Sequence, residues 1–179
     1  MTSLEKLPNH WDPKKRECKV IVDTPQGNRI KFRWEPPFQL FSFSHLLAAG
    51  LTFPHDFGFI PSTLGEDGDP VDVLILIEEP AHVGCLVDVR LIGVIEADQT
   101  QEGKTFGNDR LIGVATRSYI HQNVASIDQI NPVVLDQVQE FFVTYNKERG
   151  RVFKVKGRHG PERAARAVEA GIKAFQKKT

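Results

Sequence analysis

The residues best suited to chemistry are four carboxylates that fall within residues 66–72, in the order EDGDPVD. Carboxylates this close repel one another, and a bound cation relieves both that repulsion and the cost of burial. Aspartate oxygens are hard ligands of the kind that Mg²⁺ and Mn²⁺ prefer. Because Gly68 permits a tight turn, Asp67 and Asp72 can point towards one ion, with Asp69 beside them. The segment therefore predicts a divalent-metal site.

Two other interpretations of this acidic segment were weighed. A solvated acidic turn without a ligand is the ordinary alternative. A calcium-binding EF-hand loop would place Asp67 first and Glu78 twelfth. However, the glycine required at the sixth place is Asp72, and the loop would run through an apolar strand. The EF-hand is therefore rejected.

Three segments resemble the soluble inorganic pyrophosphatase family. Residues 67–73 (DGDPVDV) look like its acidic signature, and residues 53–61 (FPHDFGFIP) are similar to its aromatic and proline-containing segment. Residues 141–147 (FFVTYNK) resemble its late helix. The likeness extends from about Lys19 to the C-terminus. It implies a small twisted β-barrel, pyrophosphate as the substrate, and several Mg²⁺ ions, with Mn²⁺ as an alternative.

The resemblance also assigns roles to the aspartates. Asp67 and Asp72 match carboxylates that hold metals, and Asp69 matches one that assists removal of a proton from the attacking water. Asp23 occupies the place of a family glutamate that binds metal indirectly. The physical logic is that metals neutralise the pyrophosphate charge and lower the pKa of a bound water.

Later in the chain, the family has two metal-binding aspartates and then a lysine between residues 98 and 110. Asp98 is expected to supply the first aspartate. The second place falls on Asn108 or Asp109, because the register is open by one residue. Arg110 takes the place of the lysine. The alternative is that these aspartates are ordinary loop carboxylates.

Basic and aromatic residues complete the expected site. Lys31 matches a substrate-binding lysine, although a solvated strand lysine would explain it too. Tyr145 matches a phosphate-binding tyrosine, although its helical spacing alone makes it core-facing. Asn146 replaces a family lysine, and Lys147 either substitutes for it or is a plain exposed helix lysine.

Other positions depart from the family pattern. Arg33 stands where the family has an acid, and His45 stands at a substrate-binding arginine. Phe53 and Phe57 replace two tyrosines and lose their hydroxyl groups. We interpret Arg33 and His45 as substrate-binding residues and hypothesise that the phosphate-binding charge has been redistributed. The competing interpretation is a degraded site with low activity.

The elements that must position these residues are read from periodicity and turn signals. Many strands followed by two C-terminal helices predict an α+β fold, a small OB-like barrel with the helices outside. The residues from Asp98 to Asn108 are predicted to form a loop. The predicted strands are 19–22, 29–34, 39–43, 71–77, 85–95, 111–115 and 152–155, and the predicted helices begin after Asn131 and near Pro161.

Size and charge narrow the function classes. A length of 179 residues without a linker predicts one domain spanning residues 1–179. The net charge is +0, which predicts no general attraction to nucleic acid or to membranes. The absence of an apolar leader and the two separated cysteines predict a cytoplasmic protein. The resemblance implies a homo-oligomer. Hydrolysis of another phosphoanhydride, such as a nucleotide or polyphosphate, and non-catalytic metal or phosphate binding stay as alternatives.

Overall fold

The computed structural model describes residues 3–178 of the chain, so Met1, Thr2 and Thr179 lie outside it. Its helices are α1 (Pro132–Lys147) and α2 (Pro161–Lys178), with short 3₁₀ turns at Leu4–Lys6 and Ile127–Gln129. The strands are β1 (Glu17–Thr24), β2 (Ile30–Glu35), β3 (Leu40–Leu46), β4 (Asp56–Ile60), β5 (Val71–Leu76), β6 (Leu86–Gln101), β7 (Lys104–Gly107), β8 (Arg110–Ala115) and β9 (Val152–His159).

Five strands close into a barrel in the order β1-β4-β5-β8-β6, because β1 pairs with both β4 and β6. Within this ring the β5–β8 pair is parallel and the other pairs are antiparallel. β7 and β9 extend the sheet from β6, and β2 and β3 form a separate hairpin. Closure removes the free edges of the barrel strands. The prediction of an α+β, OB-like barrel with two C-terminal helices is confirmed.

Alternate residues of β5 separate the hydrophobic core into two clusters. Val73 and Ile75 belong to a cluster that includes residues of α2, whereas Leu74 and Leu76 belong to one that includes residues of α1. This division follows from the period of two in a strand. The α1 residues in the core are the ones that helical spacing predicts: Leu135, Val138, Phe141, Phe142 and Tyr145. The barrel is therefore clamped between the two helices.

The start of each long helix follows local chemistry. The Asn131 side chain accepts a hydrogen bond from Val133 N, and Pro132 occupies the first helical turn. Helix α2 begins at Pro161, as expected. Among the described residues, no helix is both long enough and apolar enough to cross a lipid bilayer.

The predicted loop from Asp98 to Asn108 is wrong. β6 continues to Gln101, turns at Glu102 and Gly103 with φ of 51° and 76°, and pairs with β7. Positive φ at both turn residues is the signature of a tight hairpin turn. Polar side chains hid the strand, but its backbone is paired with β7 on one side and β9 on the other. The sequence analysis also missed β4, whose residues are all buried.

Candidate active site

A bulge in β1 positions Asp23 beside Lys31. The register of β1 against β4 shifts between Val22 and Thr24, so Asp23 is the extra residue. Bulges re-aim side chains in this way. Asp23 is only 7% exposed, and its Oδ1 accepts a hydrogen bond of 2.5 Å from Lys31 Nζ. A second register shift follows Lys31 in the β2–β3 hairpin. Two irregular strands thus bring an acid and a base together.

The acidic segment forms a tight turn before β5. Gly68 has φ of +87°, and Gly65 N donates to the Asp69 carbonyl oxygen at 2.7 Å. The Asp67 carboxylate accepts from Asp69 N at 3.1 Å, which orients Asp67 inwards. Glu66 is tied to β7 because its Oε2 accepts from Gly107 N at 2.8 Å. Asp67 is half-buried, whereas Asp69 is exposed at the rim.

Asp72 is held by a buried arginine. Arg110 is 5% exposed, and its Nη1 donates to Asp72 Oδ2 at 2.6 Å and also to Asn108 Oδ1. Burial raises the pKa of Asp72 to about 7, even though the charge of Arg110 opposes that change. Burial also raises the pKa of Asp67. Both carboxylates would therefore gain stability from a further cation nearby.

The two aspartates expected from the later segment do not join this cluster. Asp98 and Asp109 line a second cleft, which shares Asp67 and Asp72 as a wall. There Asp98 Oδ1 accepts from Lys156 Nζ at 3.3 Å, and Asp109 is held by an arginine of α2. Each side chain is thus already paired with a cation outside the predicted site.

Gln99 and Asn108, in place of Asp98 and Asp109, line the cleft that also contains Asp67 and Lys31, which we call the first cleft. Asn108 Nδ2 donates to Gln99 Oε1 at 2.9 Å, and both side chains are buried. Successive side chains of a strand point to opposite faces, so Asp98 and Gln99 cannot share one. Of the two residues left open by the register, Asn108 lines this cleft and Asp109 does not.

The α1–β9 connection contributes basic residues that the sequence analysis missed. Arg149 Nη1 donates to Tyr145 Oη at 2.8 Å and lies 3.2 Å from His45 Nε2. Burial, and then the charge of Arg149, lowers the pKa of His45 to about 4, so the imidazole is neutral at pH 7. Arg151 lines the same cleft. Lys147, which was expected to bind substrate, is exposed and does not line it.

The first cleft has a volume of about 400 Å³. Arg33 stands at its rim, 3.6 Å from Asp69. Phe53 and Phe57 form part of its floor, and Lys31 Nζ lies 4.7 Å from the centre of the Phe57 ring. The polar and charged lining residues are Glu5, Asp23, Lys31, Arg33, Ser44, Asp67, Asp69, Asp72, Gln99, Gln101, Asn108, Arg110, Tyr145, Asn146, Arg149 and Arg151.

The chemistry of the donor set fits a divalent cation at Asp67 and Asp72. Both residues offer carboxylate oxygens that burial leaves short of positive charge. Asp23 is already paired with Lys31. Across residues 3–178, no three acidic, histidine or cysteine side chains are grouped closely enough to hold a metal ion. The amides of Gln99 and Asn108 contribute oxygens without charge.

Comparison with known proteins places the chain in a family. The family model described as inorganic pyrophosphatase matches residues 20–176. The inorganic pyrophosphatase of Thermus thermophilus is 30% identical over 179 residues, which cover 98% of this chain and 99% of that protein. Its crystal structure superposes with a TM-score of 0.88 and 29% identity, covering 98% of this chain and 99% of that one. The structure of the Helicobacter pylori inorganic pyrophosphatase superposes with a TM-score of 0.86 and 30% identity, covering 96% of this chain and 99% of that one.

The barrel and its cleft of acids and bases define a hydrolase of the phosphoanhydride-cleaving class. The chain belongs to the inorganic pyrophosphatase family and is an inorganic diphosphatase by that membership. The family is metal-dependent, which implies a divalent metal. The resemblance drawn from residues 53–61, 67–73 and 141–147 is confirmed at the level of the family.

Proposed function

We propose that this protein hydrolyses inorganic pyrophosphate to two phosphates with Mg²⁺ as its metal, and that Mn²⁺ can replace Mg²⁺. The observation that carries the proposal is the meeting of Asp67, Asp69 and Asp72 with Lys31 and Arg110 in one cleft. Pyrophosphate is a polyanion, and its hydrolysis needs both oxygen donors for a metal and fixed positive charge for phosphate.

Asp67 and Asp72 are the residues that would hold Mg²⁺, with Asp23 behind them. When bound, the ion supplies Lewis acidity that neutralises substrate charge and acidifies a water molecule. Asp69 would accept the proton of the attacking water, because its carboxylate is exposed at the rim beside the other two aspartates. Exposure also lets Asp69 pass the proton to solvent.

The cations of the cleft hold the phosphoryl groups. Lys31 and Arg110 stabilise charge on the departing phosphate, and Arg33 approaches the substrate from the rim. The buried Nε of Arg110 has no hydrogen-bond partner among the described residues, so it can donate to a phosphate oxygen. Tyr145 contributes its hydroxyl group. Neutral His45 acts by orienting Arg149 and not by its own charge.

A phosphate-release assay tests the proposal. Purified protein is incubated with pyrophosphate, with and without Mg²⁺ or Mn²⁺, alongside Asp72→Asn and a matched Asp136→Asn. Asp136 is exposed on α1 and does not line the cleft. Metal-dependent release by the parent and Asp136→Asn, together with loss in Asp72→Asn, is expected. Equal release by all three proteins would contradict the assignment.

A second candidate is a phosphate-binding protein of the same fold with slow turnover. It is favoured by the internal pairing of Asp23 with Lys31 and of Asp72 with Arg110, which already neutralises part of the cleft. Nucleotide or polyphosphate hydrolysis is the third candidate, motivated by the loss of hydroxyl groups at Phe53 and Phe57 and by the changed set of basic residues. Phosphate binding without release separates the second candidate. Release from ATP or tripolyphosphate but not from pyrophosphate separates the third.

Several further assignments belong to this proposal. Asp98, Asp109 and Lys147 are given no role, because none of them lines the first cleft. We also propose a cytoplasmic location, one domain over residues 1–179, a homo-oligomer and no nucleic-acid or membrane partner. Sedimentation of the purified protein tests the oligomer.

A further inference from the structure

Two arginines of the cleft lack the anionic partner that each of its other cations has. Lys31, Arg33 and Arg110 each lie within 4.0 Å of an aspartate oxygen. Among the described residues, the Arg149 guanidinium contacts the Tyr145 hydroxyl and the neutral His45 ring and forms no ion pair. Among residues 3–178, no side-chain hydrogen bond or ion pair involves Arg151. The cleft thus carries on one wall two positive charges that no described carboxylate contacts directly, and the charges of Asp69 and Glu102 reach Arg151 only from further away.

These two charges also act on each other. Burial, and then the charge of Arg149, lowers the pKa of Arg151. Like charges held together destabilise a protein unless an anion lies between or beside them. A phosphoryl group is such an anion, and guanidinium groups match its oxygens with paired hydrogen bonds.

The backbone holds the pair in place before any ligand arrives. Arg151 N donates to the Asn146 carbonyl oxygen at 3.0 Å, and Gly150 has φ of +68°. This hydrogen bond back to the last turn of α1 closes the helix end around glycine. Phe153, two residues further on, is buried in the core against Phe142. The arginines therefore extend from a fixed segment and not from a loose loop.

We propose that Arg149 and Arg151 form a phosphate clamp, in which both guanidinium groups bind one phosphoryl group of the substrate from the α1–β9 side. The clamp rests on the proposed function and deepens it, because it adds two substrate-binding residues to the same cleft. Tyr145 and His45 orient Arg149, so they are positioning residues for the clamp. The ligand class is a terminal phosphate dianion.

Steady-state kinetics with Arg149→Gln, Arg151→Gln and the double variant test the clamp. The matched control is Arg166→Gln, because Arg166 is exposed on α2 and does not line the cleft. The double variant should raise the KM for pyrophosphate at least about tenfold, because charge-assisted hydrogen bonds to phosphate are lost. Arg151→Lys should raise the KM less than Arg151→Gln does, because lysine keeps the positive charge but lacks the forked guanidinium group. An unchanged KM in the double variant would overturn the clamp.

Binding of methylenediphosphonate, a pyrophosphate analogue that resists hydrolysis, separates this inference from the proposed function. Calorimetry in metal-free buffer should show binding to the parent and to Arg166→Gln, and at least about tenfold weaker binding to the double variant. That result supports the clamp even if no phosphate is released in the assay. Equal binding by parent and double variant, or no binding by the parent, overturns it. Thermal melting checks that each variant is folded.

Discussion

The two clefts that share Asp67 and Asp72 contain the same kinds of charged residue, but these residues are paired differently in each. In the second cleft, Asp98 and Asp109 are each paired with a cation that is partly exposed to solvent. In the first cleft, Asp67 is half-buried, and no ion pair among residues 3–178 involves Asp67, Arg149 or Arg151. Charges that are already ion-paired need no ligand, whereas charges of both signs without an ion-pair partner in one cleft indicate a binding site. Four pairs of measurements on the two clefts test this contrast.

The largest difference is expected from removing carboxylates on the two sides. Asp67→Asn and Asp72→Asn should each lower kcat/KM for pyrophosphate at least about 100-fold, the scale of losing a metal or proton-transfer group. Asp98→Asn and Asp109→Asn should change it by less than about threefold. Kinetics at saturating Mg²⁺ measure both. Comparable losses on the two sides would restore Asp98 and Asp109 to the metal site.

A large difference in stability is expected between two arginines. Arg110→Met leaves Asp72 buried without its cation and should lower the free energy of unfolding by about 3 kcal/mol. Arg163→Met breaks the ion pairs with Glu96 and Asp109, which are partly solvated, and should cost less than about 1 kcal/mol. Urea unfolding at pH 7 without metal compares them. Equal losses would mean that both clefts are equally solvated.

A smaller effect is expected from adding a carboxylate to the first cleft. Asn108→Asp introduces a charge on a side chain that faces this cleft, beside Arg110. Additional ligand charge strengthens the binding of hard cations. The Mg²⁺ concentration that gives half-maximal activity should therefore fall by about tenfold. Thr105→Asp, on the exposed part of β7, is the control. A midpoint that stays the same in Asn108→Asp would mean that no metal lies beside this residue.

The smallest effect concerns His45 at the rim. Its folded pKa of about 4 lies below the ordinary value of 6.5, so the unfolded chain binds more protons between these values. Stability is therefore fully present above pH 6.5 and is lost as the pH falls towards 4. Between pH 7 and 4.5, the parent should lose about 1 kcal/mol more than His45→Gln, after allowance for partial exposure. Parallel urea midpoints across this range would refute the expectation.

Comparison of two segments shows why some features could be predicted. The stripe of α1 and the motif of residues 67–73 are local patterns, and the family and barrel follow from them. The stretch from Asp98 to Asn108 has polar side chains, which by themselves predict a loop. Its strand character comes from pairing with β7 and β9, and the latter lies far away in sequence. Local composition carries no information about such partners.

The amino-acid sequence determined the acidic turn, the family and the two C-terminal helices, because each depends on residues close together in the chain. Only the tertiary structure decided that Gln99 and Asn108, and not Asp98 and Asp109, face the first cleft. The physical reason is the period of two in a strand, by which a shift of one residue moves a side chain to the other face. Tertiary structure likewise brought Arg149 and Arg151 to the first cleft, because the end of α1 packs through Tyr145 against Phe53, which also lines that cleft.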